Sequence, residues 1–533
     1  MNIKRLMKTI TIFAYIVFFI ICERIMDCAG SGLMGISLMI YSLFFLIFMG
    51  SIKDTLSKMV SIRRHRGFVD NAKRIFGYCI CYCVLMSIIV IAVSFFLSGR
   101  FCDKLIGDRS VETPLIILGV FFALEAFCAT IRGYYIGCNG SVFLTASEGL
   151  KCVSLIVAAP LMIKYMGQIG EKAANLHKNP FLIDVYGSMG AAIALCISDV
   201  LMLALLLIGL KSALKNDSFS FNEVRSRDGF KSFARSYLPQ ALSWIEKNIF
   251  PTITIFLLVI FFFKYCKKQN FTPDVMYSSA GMLFAPAFAV FFFALTFFKN
   301  YIEANKKKIR VDYKKDDHKS LTSDFNMLLK NAMVVAFPIS FTVIGLSSKI
   351  PGCIFGCENE AAGKLVLQIG IMLLFACFDY LFAEVLGCMG RDMLAFAGRG
   401  IGFVCSLIMA LSLSSKEFKL GFVITALLIG YGVSAVMCGA FVFRSLTLRV
   451  NDIVARLIKV GIASVVLILF DFIFSKVIPT NALVLIITFL LGYVIYLLLL
   501  MALKTFSSKD ISGMSGSLLY YPISLLAGLF RIR

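Results

Sequence analysis

Long apolar runs separated by short polar breaks, many of them basic, set the pattern of this chain. Runs of 17 or more apolar residues number about fourteen, each long enough for a helix crossing a bilayer core of about 30 Å. They lie at roughly 9–26, 32–50, 75–97, 113–135, 144–166, 187–210, 237–263, 277–298, 327–346, 365–387, 396–413, 420–443, 453–474 and 483–503. The runs are continuous rather than alternating, which excludes a membrane β-barrel. The pattern predicts an all-α polytopic membrane protein of about 14 transmembrane helices. An even count places both ends on one side.

An internal repeat divides these spans. Gly137-Cys138-x-Gly140 falls on Gly387-Cys388-x-Gly390, each at the same end of the fourth span of a six-span set. The match predicts two pseudo-symmetric six-helix lobes in parallel orientation, plus a C-terminal helix pair. The expected boundaries are 1–210 for the first lobe, 211–236 for a cytoplasmic linker, 237–443 for the second lobe, and 444–533 for the added pair and a cytoplasmic tail. Pro239, Pro251, Pro286 and Pro338 fall in the second lobe's first three spans, where proline removes a backbone donor and bends a helix.

Composition agrees with the pattern. Of 533 residues, 59% are hydrophobic and 16% charged, too little polar surface to cover a water-soluble globule. The formal net charge of +22 would suggest nucleic acid in a soluble protein. Here the basic residues crowd the breaks at 51–74, 211–236 and 299–330, an ordinary positive-inside bias, and no nucleic-acid partner is expected. The bias predicts a multi-pass protein of the cytoplasmic (plasma) membrane with both termini cytoplasmic. Lys264, Lys267 and Lys268, in one outer break, run against it. The first run lacks a small-residue cleavage site and leads directly into another span, so it reads as a retained helix. Most cysteines, Cys79, Cys81 and Cys83 among them, lie inside apolar runs and behave there as small hydrophobes.

The candidate chemistry is the charge at membrane depth. Such a charge costs about 2.5–3.5 kcal/mol on insertion scales, so it must face protein or water. Candidates for a translocation cavity are Arg24, Glu125, Arg132 and Asp199 in the first lobe, and Glu246, Lys247, Asp379 and Glu384 in the second. Glu125 and Arg132 are seven apart and share a helix face, whereas Asp379 and Glu384 do not share one closely. Glu246 and Lys247 are sequential and point apart. Each residue alone is as readily half of a structural pair as a site. Their recurrence in both lobes points to a cleft where charges can be hydrated. Conventional catalysis is not indicated. His65, His177 and His318 are isolated in predicted loops, no metal spacing occurs, and no phosphate-binding loop is present. The expectation is a transporter with no catalytic residue, no metal and no cofactor, leaving a coupling monovalent cation or the membrane potential as driving force.

Arg132-Gly133-Tyr134-Tyr135-x-Gly137, then Thr145-Ala146-x-Glu148 and Lys151, resembles the fourth-to-fifth-span signature of the stage V sporulation protein B group. That group stands with the MurJ-type lipid II flippases and O-antigen flippases in the multidrug/oligosaccharidyl-lipid/polysaccharide exporter superfamily. Tyr41-Ser42-Leu43 with Gly50, and Tyr186-Gly187-x-x-Gly190-Ala191-Ala192, look like the same group. The family pattern has Gln where Ile136 stands and Pro where Leu144 stands, and the second half matches loosely. The resemblance implies a flippase that carries an undecaprenyl-linked oligosaccharide or peptidoglycan precursor across the cytoplasmic membrane by alternating access. The setting it implies is polysaccharide, cell-wall or sporulation biosynthesis. Arg24, Arg132 and Lys247 would then meet a pyrophosphate, and the carboxylates would bind sugar hydroxyls or a coupling cation, or balance those bases. Implied partners are a lipid-linked sugar precursor and membrane lipids, with room for cell-wall synthesis enzymes. A cation-coupled multidrug exporter of the same superfamily is the alternative, and a non-transporting membrane scaffold the second.

Overall fold

A computed structural model of the chain describes residues 3–138, 140, 142–216, 230–414, 421–446, 450–477, 481–503 and 505. Among these no strand occurs. The helices are α1 (Ile3–Phe48), α2 (Ile52–His65), α3 (Val69–Leu105), α4 (Glu112–Gly137), α5 (Val142–His177), α6 (Leu182–Asn216), α7 (Phe230–Lys268) and α8 (Pro273–Met282). They continue as α9 (Ala289–Asn305), α10 (Lys307–Lys314), α11 (His318–Gly345), α12 (Glu360–Cys388), α13 (Asp392–Ser414), α14 (Gly421–Ser445), α15 (Val450–Val477) and α16 (Ala482–Ala502). Residues 217–229, which make up much of the linker expected at 211–236, and the tail from 506 lie outside the described residues.

Thirteen helical stretches among the described residues are long and apolar enough to cross a membrane. The first holds two of the expected spans, 9–26 and 32–50, because α1 is two helical limbs joined at Asp27 (φ 56°, ψ −172°). A straight helix would hold Tyr15 and Tyr41 about 39 Å apart. Instead Tyr15 approaches Lys151, Tyr41 packs on Phe121, and Lys151 lies against both Tyr15 and Phe121. The chain therefore folds back near Asp27, at a cost of about 1–3 kcal/mol for a non-glycine residue in that backbone region.

The break at 51–74, expected to be a loop, is largely helical. Ile52, Leu56, Met59 and Val60 repeat at helical spacing and are buried, while Arg63, Arg64 and His65 occupy the last turn, where cations suit the helix dipole. The break between the spans expected at 144–166 and 187–210 is likewise mostly helix, since α5 runs on to His177. Pro286 sits in a π-helical turn, Leu283–Phe288, between α8 and α9. Such a turn reroutes backbone bonding around the missing proline N–H.

Chain contacts divide the protein into two compact units, one ending at Ala285 and the other beginning at Pro286. In the first unit α1 packs on α4, α5, α6 and α8, and α5 lies along α6. Its apolar core joins Phe18, Cys22, Met34, Leu118, Phe121, Leu155 and Ala191. Glycine sets the α1–α8 approach: a Cβ on Gly281 would fall 1.8 Å from the Cys28 carbonyl oxygen, and one on Gly32 2.0 Å from that of Tyr277. In the second unit α12 packs on α11 and α14, α13 on α14, α15 on α11, and α16 on α15. The outer faces of α3, α13, α15 and α16 are apolar and exposed, with Phe95, Phe96, Ile408, Leu411, Ile473, Leu483 and Leu490. Exposed apolar surface of that extent suits acyl chains rather than water.

Candidate functional site

Each unit places charged side chains together inside its helical bundle. In the first, α4 supplies Glu125 and Arg132, α5 supplies Glu148 and Lys151, and α6 supplies Asp199. Arg132 Nη2 donates to Glu125 Oε1, as the seven-residue spacing requires. Lys151 Nζ donates to the other oxygen, Oε2, at 2.6 Å. The same ammonium lies 2.7 Å from Asp199 Oδ1 and 5.7 Å from the ring centroids of Tyr15 and Phe121. Arg132 Nη1 reaches to 4.0 Å from Glu148 Oε1, and its Nε donates to the Cys128 carbonyl at 3.3 Å.

Burial decides what this set means. The side chains of Lys151 and Asp199 are 5% and 0% exposed. An isolated charge there would be costly, so each base is shared between two acids. Three carboxylates nevertheless face two cations. Asp199 meets Lys151 at 2.7 Å through Oδ1 and lies beside Glu125, so two carboxylates share one ammonium. That excess of acid over base is the part of the network open to a proton, a cation or a hydroxyl donor. Oxygen ligands of this kind suit hard monovalent or divalent cations.

The second unit builds a different arrangement. Arg399 of α13 donates through Nε to Asp379 Oδ2 at 3.1 Å, with Nη2 also 3.1 Å from that oxygen, and the Ser434 hydroxyl of α14 donates to Oδ1. Asp379 is thereby saturated. Farther along α12, Glu384 accepts from Lys306 Nζ at 2.6 Å, and Lys306 also donates to Glu303 at 2.9 Å. Lys299 Nζ stands 5.1 Å from the Tyr380 ring centroid, within cation–π range. Among the described residues Lys299 has no hydrogen bond and no ion pair. It is the uncommitted cation of this centre.

The expected residues are thus distributed unevenly. Glu125, Arg132 and Asp199 come together. Asp379 and Glu384 belong to one centre but bond to different cations. Arg24 is exposed on α1, Lys247 is exposed and Glu246 half-buried on α7, and none of the three bonds to Glu125 or Asp199.

Comparison with known proteins rests on shape alone. No protein-family model matches the sequence, and no curated protein matches it. Among solved structures, the lipid II flippase MurJ in an inward closed conformation superposes with a TM-score of 0.64 at 13% identity, covering 94% of this chain and 98% of that one. An inward-facing multidrug resistance MATE transporter of the MOP superfamily gives 0.63 at 13%, covering 81% and 93%. An outward-facing MATE transporter gives 0.52 at 14%, covering 82% and 94%. The fold is that of the MurJ and MATE transporters.

Within this MurJ/MATE fold, sequence reasoning missed Arg399, Lys299, Lys306 and the central role of Lys151. Arg399 lies inside an apolar run, and that alone is a legible signal. Lys299 and Lys306 were assigned to the basic break at 299–330, although α9 carries helix through Asn305 and Lys306 caps its end. Lys151 stands in the quoted motif, but its partners on α4 and α6 become visible only in three dimensions.

Proposed function

We propose that this chain is a flippase, moving an undecaprenyl-linked oligosaccharide or peptidoglycan precursor across the plasma membrane by alternating access. The observation that carries the reading is Lys299, a cation inside the second unit's bundle with an aromatic face beside it, near acids that are ion-paired to other bases. A pyrophosphate-sugar headgroup cannot enter hydrocarbon unaided and needs such a cation at depth. Arg24 and Lys247, both exposed, are further candidates for the pyrophosphate. Arg132 is held by Glu125 and acts through it rather than on substrate. Glu384, Glu246 and Asp199 would meet sugar hydroxyls or balance the bases. The likeness to MurJ over 94% of the chain, against 81% for the inward-facing MATE transporter, supports the same reading. So does the terminal pair α15–α16, which offers an apolar surface for a polyprenyl tail.

A liposome flipping assay with a fluorescent undecaprenyl-pyrophosphoryl sugar tests it. Hydrogen bonds to charged groups contribute about 1.5–3 kcal/mol, so Lys299→Ala should lower flipping about tenfold or more, with Lys299→Arg retaining it. Flipping by Lys299→Ala equal to wild type would remove this cation from the site. One observation favours export of organic cations instead: the Glu125 centre holds three carboxylates against two bases. Substrate-dependent efflux of a cationic dye, lost in Asp199→Asn and absent for lipid-linked sugar, would decide for that reading.

A further inference from the structure

The start of α7 meets the start of α3, and no residue there enters the transport reading. Tyr78 of α3 packs on Phe230 and Phe233 of α7 with ring centroids 5.8 and 5.6 Å away, and Tyr82 packs on Tyr237 at 5.9 Å. Rings gathered at the end of a membrane span mark headgroup depth. Around them both helices carry bases. The segments 69–78 and 230–240 hold Lys73, Arg74, Lys231 and Arg235 against one acid, Asp70. Arg74, Lys231 and Arg235 are exposed, and so is the Phe230 ring.

Beyond the bases the exposed positions turn apolar. On α3 they run Arg74, Gly77, Cys81, Leu85 and Ile88, at spacings of three and four that keep them on one face. On α7 Lys231 and Arg235 are followed by Leu238 and Leu242, again three and four apart. Leu85, Ile88, Leu238 and Leu242 are 55%, 61%, 57% and 49% exposed, which suits acyl chains rather than water. Gly77 leaves a gap at the changeover. A Cβ there would find nothing within 4 Å, so open space lies beside the backbone between Arg74 and Cys81.

We propose that this junction binds an anionic phospholipid of the surrounding leaflet. Lys231, Arg235 and Arg74 take its phosphate, the space beside Gly77 takes its glycerol region, and its acyl chains lie along the two apolar stripes. Guanidinium and ammonium groups donate charge-assisted hydrogen bonds to phosphate oxygens. Each base at this depth strengthens anionic-lipid binding about fivefold. A bilayer lipid is the occupant rather than a soluble anion, because the bases continue directly into exposed faces that need hydrocarbon beside them.

Native mass spectrometry of the full-length protein tests this, with the protein stripped of lipid in detergent and titrated with dioleoyl phosphatidylglycerol or phosphatidylcholine. Wild type should bind the first phosphatidylglycerol at least about tenfold tighter than phosphatidylcholine. Lys231→Gln with Arg235→Gln should lower that affinity about 25-fold and leave phosphatidylcholine unchanged, whereas Lys231→Arg with Arg235→Lys should retain it. Gly77→Leu, which changes no charge, should also weaken phosphatidylglycerol by filling its space. Lys307→Gln with Lys308→Gln, exposed bases of α10, is the control and should change nothing. An equal loss in the control marks diffuse surface charge and overturns the proposal. So does wild type that binds both lipids alike, or Gly77→Leu that binds like wild type. Displacement of phosphatidylglycerol by an equimolar undecaprenyl pyrophosphate overturns it in favour of the transported lipid. Should the double variant not assemble, Arg235→Gln alone serves: a loss of about fivefold is expected, and unchanged binding refutes the site.

Discussion

Replacing Lys151 by Met removes the cation at the middle of the first charge cluster and keeps most of its length. Its ammonium lies 2.6 Å from Glu125 and 2.7 Å from Asp199. After the change Arg132 still compensates Glu125, but Asp199, with no exposed surface, is left beside a second carboxyl and without a cation. Removing one partner of a buried ion pair costs about 3–5 kcal/mol. The stranded acid escapes by binding a proton, which for a carboxyl of ordinary acidity costs about 4 kcal/mol at pH 7 and about 1.4 kcal/mol less for each pH unit below it. The variant should therefore lose about 3–4 kcal/mol at pH 7 and recover more than half of that at pH 5. Lys151→Met with Asp199→Asn, which removes the stranded charge, should be nearly as stable as Asp199→Asn alone. The assay is denaturant unfolding in mixed micelles of wild type, both single variants and the double variant, at both pH values. A loss under about 1 kcal/mol at pH 7, or a double variant whose loss is the sum of the singles, would show that Lys151 is not what keeps Asp199 buried.

Gly281→Ala puts a Cβ 1.8 Å from a carbonyl oxygen of α1, so the α1–α8 contact should open at a cost of at least about 3 kcal/mol, seen as lost monodisperse yield on size exclusion. Gly167→Ala, in α5 with nothing within 4 Å, should instead raise stability by about 1 kcal/mol in the same unfolding measurement. Asp317 caps α11 by accepting the Ser320 amide at 3.1 Å, and that bond holds its carboxyl below the usual range. A depressed group stabilises above its unfolded value and loses that effect as pH falls through the folded one. Hydrogen exchange at the start of α11 should therefore be faster in Asp317→Ala than in wild type at neutral pH, and equal to it in acid.

The helical architecture was legible because bilayer length and apolar continuity dictate it. Thirteen crossing stretches stand where about fourteen were expected, and the difference is the doubled α1. The fold-back at Asp27 was not legible as backbone geometry, since ψ −172° lies outside the left-handed well that Asp tolerates. The amphipathic spacing of Ile52, Leu56, Met59 and Val60 was present, but the surrounding charge drew the reading toward a loop. In the site, acids were easier to find than the bases that hold them. A carboxylate in an apolar run stands out, whereas lysine and arginine near a run's end look like topology signals.

Depth along a hairpin would have recovered two of those bases. Asp379 lies nine residues before Cys388, the end of α12, and Arg399 lies seven after Asp392, the start of α13. At about 1.5 Å per residue both sit within a few Å of the same height, and they bond at 3.1 Å. Glu125 lies twelve residues before Gly137 and Lys151 nine after Val142, and they bond at 2.6 Å. Two helices joined by a short turn bring residues equally far from that turn together, so opposite charges at matched distances are each other's first partners. The same rule singles out Asp471. Lys476 stands on its own helix with its ammonium over Phe472, and α16, the helix across the short turn, offers no charge at any depth. Across that turn Asp471 therefore has no ionic partner, and its carboxyl is left to the α11 face, where Gly345 and the Thr342 hydroxyl stand.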